Sequence, residues 1–322
     1  MKEWSPLVEV ADTVRFPDLF LIGAPKCGTT SLFSWLRAHP DTFLAIKEPN
    51  FLSHDVFDTA GMPGAITSWD EYRAKVCPPE ADRLLTGDAT PKYLYSQSAF
   101  DILAARRDRV RLIAILRNPV DLAIAMHAQN VREGRDPRVD FETAWDQGPL
   151  REGDRLTDYH FWGQPGEHLA RYAEVFAPDR LKVLILEEEM RQAPARAYAE
   201  VLDFLGLAPH QLARYDVANP RLGFRSARLQ GGSRRMRRAV VRGLSRLGLN
   251  PPATGVLRAM DRLNHSKPGA GAPSAELRQR VADALLDDAR KIASTLGRSS
   301  LPWDDFRWPE APDPQRIQEH GA

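Results

Sequence analysis

The segment from Phe20 to Leu32 places the tightest constraint on the fold of this chain. An apolar run ends at Gly23, a short loop follows, and apolar residues then recur at helical spacing from Leu32 onward. This order predicts a strand, a tight loop and the first turns of a helix. Backbone N–H groups at such a helix N-terminus bind anions. The segment therefore predicts a binding site for a phosphate ester.

The loop resembles a nucleotide-binding P-loop but departs from it in the position of the lysine. Gly23 and Gly28 have the separation of the two Walker glycines, whereas the next residue is Thr29 rather than lysine. The lysine lies inside the loop instead, as Lys26. A cation at that place is suited to stabilising a single 5′-phosphate or the bridging oxygen of a leaving group.

A second apolar run, from Arg111 to Leu116, predicts a buried parallel strand because it is continuous rather than alternating. In a P-loop NTPase, a strand of this kind ends in the carboxylate that helps to hold Mg²⁺. Here the strand runs into Arg117. A fixed guanidinium at that position suits a second phosphate group that is bound without metal.

Predicted strands and helices alternate along most of the chain. Strands are predicted at 19–22, 42–46, 111–116 and 181–186, with a weaker one at 84–86, and helices near 68–76, 100–105, 119–132, 166–175 and 194–205. The alternation predicts a three-layer α/β fold with a central parallel sheet. Since ligands bind beyond the carboxyl ends of such strands, we expect Lys26, Glu48, Asp88 and Arg117 to converge on one edge.

Composition sets wider bounds on function. The chain has 322 residues, of which 43% are hydrophobic, and its net charge of +1 gives no indication of nucleic-acid binding. Two cysteines, Cys27 and Cys77, indicate no disulfide framework, and the histidines lack metal-ligand spacing. Neither an apolar leader nor a run long enough to span a membrane is evident. We therefore expect a cytoplasmic protein without a metal site.

The positive charge is concentrated toward the C-terminus. Between Arg221 and Arg262 there are eleven arginines and one acidic residue, Asp261. Apolar residues at helical spacing make this region compatible with a solvated basic helix, a lid over an anionic ligand, or weak contact with a membrane surface. We predict a single domain over 1–322, with an α/β core at 1–215 and a mostly helical region at 216–322 over the cofactor site.

At these motifs the sequence resembles the sulfotransferases that use 3′-phosphoadenosine 5′-phosphosulfate (PAPS). The segment from Pro25 to Leu32 matches the family's 5′-phosphosulfate loop, and the segment from Arg117 to Asp121 matches the start of its 3′-phosphate motif. The likeness extends over roughly residues 18–305. The pattern is most similar to that of bacterial members related to the glycan and heparan-type branch.

The resemblance and the chemistry together assign roles to individual residues. Glu48 is the candidate general base toward the acceptor hydroxyl, and Lys26 is expected to stabilise the leaving phosphate. Arg117 is expected to bind the 3′-phosphate. The other cofactor-binding candidates are Pro25, Cys27, Gly28, Thr29, Thr30 and Ser31 in the loop, and Arg225 and Ser226 near the C-terminus, while the acceptor-pocket candidates are Asp88, Tyr93 and His127.

The sequence departs from the family pattern at two positions. The family usually has a serine eight residues after the motif arginine, where it binds the 3′-phosphate, and this chain has Ala125. Heparan-type members often have a lysine directly before the Thr-Pro pair, and this chain has Ala89. The first departure concerns recognition of the 3′-phosphate, and the second concerns glycan specificity.

These observations predict a PAPS-dependent sulfotransferase. It would transfer a sulfuryl group in line to an acceptor hydroxyl, without metal, and release 3′-phosphoadenosine 5′-phosphate. The predicted acceptor is a carbohydrate, a glycolipid or a small secondary metabolite, and the sequence does not indicate an oligomeric state. The alternatives are an Mg²⁺-dependent small-molecule kinase, since P-loops vary, and a non-catalytic nucleotide-binding protein, with which Ala125 is compatible.

Overall fold

The computed structural model describes residues 15–56, 65–216 and 273–308, together with the backbone of residues 223–224 and 265–266. Five strands form one sheet, namely β1 (Leu19–Gly23), β2 (Thr42–Phe43), β3 (Leu85–Asp88), β4 (Arg111–Leu116) and β5 (Leu181–Ile185). Their order across the sheet is β2-β3-β1-β4-β5. Each neighbouring pair is parallel, so the carboxyl ends of all five lie along the same edge.

Helices connect these strands and follow the last of them. Within the described ranges they are α1 (Thr29–Arg37), α2 (Trp69–Val76), α3 (Gln97–Ala104), α4 (Pro119–Arg132), α5 (Phe141–Gln147), α6 (Tyr159–Trp162), α7 (Pro165–Val175), α8 (Pro194–Leu205) and α9 (Ala275–Thr295). A π-helical turn, Leu186–Met190, directly follows β5. A short antiparallel pair consists of β6 (Gly223–Phe224) and β7 (His265–Ser266).

The strands β1 and β4 form the buried centre of the sheet. All five residues of β1 and the last five residues of β4 are buried. Because successive residues of a strand point to opposite faces, both faces of the sheet must be covered. The predicted three-layer α/β architecture with a parallel sheet is therefore confirmed, and the continuous apolar run of β4 is its sequence signal.

Several elements begin and end where the sequence predicts, including the strand at 111–116 and the helices at 119–132 and 194–205. Neither α5 nor α6 is predicted from the apolar spacing of the sequence. Both helices are short, and each begins directly after an aspartate, Asp140 or Asp158, whose side chain accepts a hydrogen bond from a backbone N–H in the first turn. These N-caps are the signal that could have revealed them.

The second strand is shorter than the predicted 42–46. Only Thr42 and Phe43 pair with β3, at the edge of the sheet. The chain then leaves the ladder, and Lys47 returns to form a single parallel bridge with Ala89. The apolar pattern could not show this departure, which sets Glu48 just beyond the sheet edge.

The C-terminal helix α9 packs against α7 through a buried carboxylate. Asp288 accepts hydrogen bonds from the backbone N–H groups of Gly166 and Glu167, both at 2.8 Å, and so caps the first turn of α7. A Cβ on Gly166 would lie 2.4 Å from the Asp288 carbonyl oxygen, so the close approach of the two helices requires glycine there. Burial raises the pKa of Asp288 to about 7.

The described part of the C-terminal region thus packs on the α/β core. The basic stretch between Arg221 and Arg262 lies outside the described residues, apart from the backbone of β6. Its interpretations as a solvated helix, a lid or a membrane-surface contact therefore stay predictions. The prediction of a single domain over 1–322 therefore stays a prediction. Among the described helices, none is both long and apolar enough to cross a bilayer.

Candidate active site

The loop between β1 and α1 has the backbone shape of an anion-binding loop. Two of its residues are left-handed, Lys26 with φ of 63° and Gly28 with φ of 90°. Gly28 is the N-cap residue directly before α1, and no described side chain caps that helix. Lys26, Gly28 and Thr30 are partly exposed, whereas Cys27 and Thr29 between them are buried. Lys26, Gly28 and Thr30 are therefore the solvent-accessible members of this stretch, and their role in cofactor binding stays a prediction.

Cys27 has no nucleophilic character in this setting. Its thiol is fully buried and lies 3.3 Å from the Pro25 carbonyl oxygen. Burial raises the pKa of the thiol to about 12, so it is protonated at neutral pH. Ser31, in the first turn of α1, is buried as well.

Lys26 is an electropositive centre close to several charged groups. Burial lowers the pKa of its ammonium, and Arg132 on α4 adds to that effect, while Glu133 and Glu48 oppose it. The Lys26 carbonyl oxygen accepts a hydrogen bond of 3.2 Å from Nη1 of Arg117. The end of β4 is thereby joined to the loop after β1.

Glu48 lies between two lysines at the same edge. Its Oε2 accepts a hydrogen bond from Lys92 at 2.7 Å, and its Oε1 lies 3.5 Å from Nζ of Lys47. Lys47 also donates to the Thr29 hydroxyl at 3.3 Å, so the Glu48 segment is tied to the phosphate loop. The Glu48 side chain is 35% exposed, against 13% for each lysine, so the carboxylate is the accessible member.

The charge around Glu48 decides its protonation state. Burial acts to raise the pKa of its carboxyl, but Lys92 and Lys47 outweigh burial and hold that pKa below its ordinary value. Burial lowers the pKa of Lys47, and Glu48 opposes that effect. Glu48 is therefore ionised at neutral pH, which is the form that can accept a proton.

A hydrogen-bond chain holds the Glu48 segment against the sheet. Asn50 adopts a left-handed conformation with φ of 53°, and its amide donates to the Glu48 carbonyl oxygen at 2.9 Å. The Asn50 backbone N–H donates to the Thr90 hydroxyl at 3.3 Å, and that hydroxyl donates to Asp88 at 2.7 Å. The segment is thus anchored to the end of β3.

Asp88 and Tyr93 are placed as supports of the site. Both are fully buried, and the hydroxyls of Tyr93 and Tyr72 each donate to the Asp88 carboxylate at 2.7 Å. Burial raises the pKa of Asp88 to about 6. Because their polar groups are hydrogen-bonded inside the protein, Asp88 and Tyr93 support the surrounding segments, and their acceptor-pocket role stays a prediction.

His127 is likewise directed into the protein. It is buried on α4, and its Nε2 lies 2.8 Å from the Arg138 carbonyl oxygen. Its ring contacts Phe141 and Tyr159, and burial lowers its pKa. These contacts leave its acceptor-pocket role without geometric support.

Arg117 is buried in a network of its own at the end of β4. It is 4% exposed, and its Nη2 donates to Asp121 at 2.7 Å. Asp121 also accepts from Arg278 of α9 at 3.0 Å, and Arg278 in turn pairs with Asp305. The charge of Arg117 is therefore partly compensated within the protein, and its Nε has no partner among the described residues.

The structure brings together the four predicted strand-end residues, since Lys26 contacts Arg117 and is electrostatically coupled to Glu48, which in turn acts on Asp88. Ala125 is half-buried on α4, and Arg225 and Ser226 lie outside the described residues. The sequence prediction gives no role to five residues that contact the candidate residues here, namely Lys47, Asn50, Lys92, Asp121 and Arg278. The lysine next to Glu48 was a visible signal, whereas the partnership of Arg278 with Asp121 joins residues 157 positions apart.

The sheet edge thus combines an ionised, accessible carboxylate with a cationic loop at a helix N-terminus. Such a pairing can take a proton from one group while stabilising negative charge on another. Comparison with known proteins is consistent with this arrangement. The family model described as "Sulfotransferase domain" matches residues 16–217.

Individual relatives show the same likeness. Heparan sulfate glucosamine 3-O-sulfotransferase 6 of Homo sapiens is 30% identical over 244 residues, a match that covers 71% of this chain and 64% of the relative. Bifunctional heparan sulfate N-deacetylase/N-sulfotransferase 4 of Mus musculus is 27% identical over 228 residues, which are 68% of this chain and 26% of that protein. The chain thus spans less than two thirds of the length of these relatives.

Among solved structures, a sulfotransferase from Alicyclobacillus acidocaldarius has the same fold. It superposes with a TM-score of 0.57 at 22% identity, and the match covers 88% of this chain and 97% of that one. At this level of identity, the likeness concerns the fold alone.

Proposed function

This chain belongs to the sulfotransferase domain family, and we propose that it transfers a sulfuryl group from PAPS to an acceptor hydroxyl. The observation that carries the proposal is the position of Glu48. Its ionised carboxylate is held by two lysines and is tied through Lys47 to Thr29 of the phosphate loop. A base and an anion-binding loop are the two parts that sulfuryl transfer needs side by side.

In the proposed reaction, Glu48 accepts the proton of the acceptor hydroxyl as its oxygen attacks sulfur. The new bond joins that oxygen to sulfur, and the bond from sulfur to the bridging phosphate oxygen breaks. The electron pair of the broken bond stays on the 5′-phosphate. Lys26 and the N–H groups at the start of α1 stabilise the charge that develops there. Charged side chains supply the electrostatic stabilisation, so no metal is required.

Recognition of the 3′-phosphate is proposed to fall on Arg117. Its unpartnered Nε and its position at the end of β4 support the role. Asp121 already accepts a hydrogen bond from this guanidinium, so the phosphate would share the arginine with a carboxylate. Ala125 offers no hydroxyl, and Arg225 and Ser226 remain predicted as further donors.

The acceptor is proposed to be a carbohydrate or glycolipid, with a secondary metabolite as the second choice. The names of the relatives include both an O-sulfotransferase and an N-sulfotransferase of heparan sulfate. We propose O-transfer here, because an ionised carboxylate suits the removal of a hydroxyl proton. A cytoplasmic location, weak membrane-surface contact through residues 221–262 and the absence of nucleic-acid binding remain predictions.

The test is incubation of the protein with labelled PAPS and panels of oligosaccharides, glycolipids and small metabolites, followed by mass spectrometry. We expect a PAPS-dependent gain of one sulfuryl group in one panel. Glu48→Gln should abolish the product, whereas Glu174→Gln, which changes an exposed carboxylate on α7, should not. Transfer of a phosphoryl group from ATP in place of a sulfuryl group would contradict the proposal.

A further inference from the structure

Lys92 makes the shortest contact to the proposed base. Its Nζ lies 2.7 Å from Oε2 of Glu48 and 3.2 Å from Oδ1 of Asn50. Asn50 also donates to the Glu48 carbonyl oxygen at 2.9 Å. The lysine therefore contacts both the carboxylate and the residue that shapes the backbone around it.

The segment that carries Lys92 is firmly placed. Residues Pro91–Tyr95 form a 3₁₀ turn directly after β3, with Pro91 at its start. Thr90 before the turn bonds Asp88, and the Tyr93 hydroxyl bonds the same carboxylate. The ammonium of Lys92 therefore reaches Glu48 from a segment whose flanking residues, Thr90 and Tyr93, are buried and hydrogen-bonded to Asp88.

We propose that Lys92 is a positioning residue for the general base, which orients the Glu48 carboxylate and keeps it ionised. The inference rests on the proposed function, because it assigns Lys92 a part in the reaction of that same site. The proposal assigns Lys92 no contact with the sulfuryl donor or the acceptor. Its effect passes through Glu48, where one carboxylate oxygen is held by Lys92 and the other faces Lys47.

The two lysines have different tasks. Lys47 divides its contacts between Thr29 at 3.3 Å and Glu48 at 3.5 Å, so it joins the base to the phosphate loop. Lys92 makes the closer contact, and of the two it has the stronger effect on the pKa of Glu48. Ala89, where the family resemblance would place a lysine, is buried and contributes no charge. Lys92 supplies the missing cation from the other side of the Thr90–Pro91 pair.

The sign of the pH effect follows from the groups that face Glu48. These are Lys47, Lys92, Lys26 and, in the sheet below, Asp88. The lysines favour the ionised form of Glu48. Removal of the Lys92 charge must therefore raise the pKa of Glu48. As the pH is lowered, a reaction that needs the carboxylate then loses activity at a higher pH than in the unmodified protein.

The experiment measures the titration of Glu48 directly, in protein carrying ¹³C at the glutamate carboxyl carbons. The Glu48 resonance is assigned by its loss in Glu48→Gln. We expect it to titrate at a higher pH in Lys92→Met, which keeps the length of the side chain and removes its charge, and to return toward the original pH in Lys92→Arg. Lys92→Gln serves as a second neutral variant.

Lys75→Met provides a matched control. Lys75 and Glu71 form a pair of the same 2.7 Å length on the surface of α2. This variant should raise the pKa of Glu71 and leave the titration of Glu48 unchanged. The signal from Glu71 also shows that the method detects the loss of one lysine partner.

A second measurement joins Lys92 to catalysis. With an acceptor identified from the panels, kcat at pH 7 should fall about tenfold in Lys92→Met, with KM for PAPS little changed and the acid limb of kcat displaced to higher pH. An unchanged Glu48 titration, or an unchanged kcat profile, would overturn the inference. If the unmodified protein shows no PAPS-dependent turnover, the proposed function fails, and the titration alone then decides whether Lys92 controls Glu48.

Discussion

Two charged clusters at the same sheet edge use opposite arrangements. In the Glu48 cluster, a carboxylate that is 35% exposed is surrounded by two lysines that are each 13% exposed. In the Arg117 cluster, an arginine that is 4% exposed is held by the Asp121 carboxylate and the Lys26 carbonyl oxygen. The proposed reactive group is thus partly exposed in the first cluster, and the proposed recognition group is buried in the second.

The difference shows that the partners of a motif residue, and not its type alone, decide whether its charge is available to a ligand. A carboxylate between cations is kept ionised, and only the ionised form can accept a proton, although the same cations lower its basicity. A buried arginine paired with a carboxylate has already satisfied part of its charge, and further binding must compete with that partner. The Glu48 cluster therefore fits the proposed role in proton transfer, whereas the Arg117 cluster is joined to α9 through the hydrogen bond from Arg278 to Asp121.

The strongest test of this contrast is Glu48→Gln. The amide keeps the shape of the side chain but cannot accept the proton, so kcat should fall about 10²–10⁴-fold. Binding of 3′-phosphoadenosine 5′-phosphate should be retained, as measured by calorimetry. A near-normal kcat would remove Glu48 from the mechanism and leave its cluster with an electrostatic role only.

The second test concerns Arg117→Ala. A charge-assisted contact to phosphate is worth about 1.5–3 kcal/mol, so affinity for 3′-phosphoadenosine 5′-phosphate should fall roughly tenfold to a hundredfold. Affinity for adenosine 5′-phosphosulfate, which lacks the 3′-phosphate, should change much less. Both affinities are measured by calorimetry on the same preparations.

The outcomes of that test separate recognition from structure. Equal weakening of both nucleotides by the substitution would place Arg117 in a structural role beside Asp121. Equal affinity of the unmodified protein for both would show that the 3′-phosphate is not recognised. Ala125 makes the second outcome informative, because the serine usual in the family is absent there.

The third test is the stability of Arg278→Met. The change leaves Asp121 and Asp305 without this partner, while the long apolar side chain preserves packing. Because Arg278 is 30% exposed, we expect the free energy of unfolding to fall by only about 1–2 kcal/mol. Urea denaturation measures the change, with Arg290→Met as the control, since Arg290 is 52% exposed and pairs only at 3.6 Å with Asp287 on its own helix.

An unchanged stability in Arg278→Met would show that α9 is held by other contacts. The capping of α7 by Asp288 is the first of these. The Arg117 cluster would then contribute little to the attachment of α9, and the two clusters would differ in exposure and charge but not in their contribution to stability.

The sequence carried enough information for the fold and for the sheet edge at which the candidate residues lie. The strand at 111–116 is readable because a continuous apolar run has few alternatives, and the glycines and lysine of the loop mark the anion site. The partners of Glu48 were not readable. Lys92 meets it only because β2 and β3 are neighbours and the segments beyond them fold together, so the contact depends on register rather than on pattern.

The acceptor-pocket candidates show a second reason why the sequence does not predict the whole site. Asp88 carries a charge at a strand end, which is typical of a ligand contact, but it is the last residue of β3 and fully buried, with Tyr72, Tyr93 and Thr90 as partners. Burial depends on what packs above the strand, and the strand pattern does not show that the hydroxyls of Tyr72 and Tyr93 point onto this carboxylate. Local pattern cannot distinguish a buried carboxylate of this kind from an exposed one.

The smallest expected effect is that of EDTA. In the proposed mechanism, side-chain cations take the place that Mg²⁺ has in a P-loop NTPase. Lys26 and Lys47 lie at the phosphate loop, Lys92 pairs with Glu48, and Arg117 follows the strand that would end in the metal-holding carboxylate. Turnover with PAPS should therefore be unchanged in excess EDTA, as measured by initial rates with and without added Mg²⁺. Complete loss of activity that Mg²⁺ restores would instead favour the small-molecule kinase, and the cationic side chains would then assist a metal rather than act in its place.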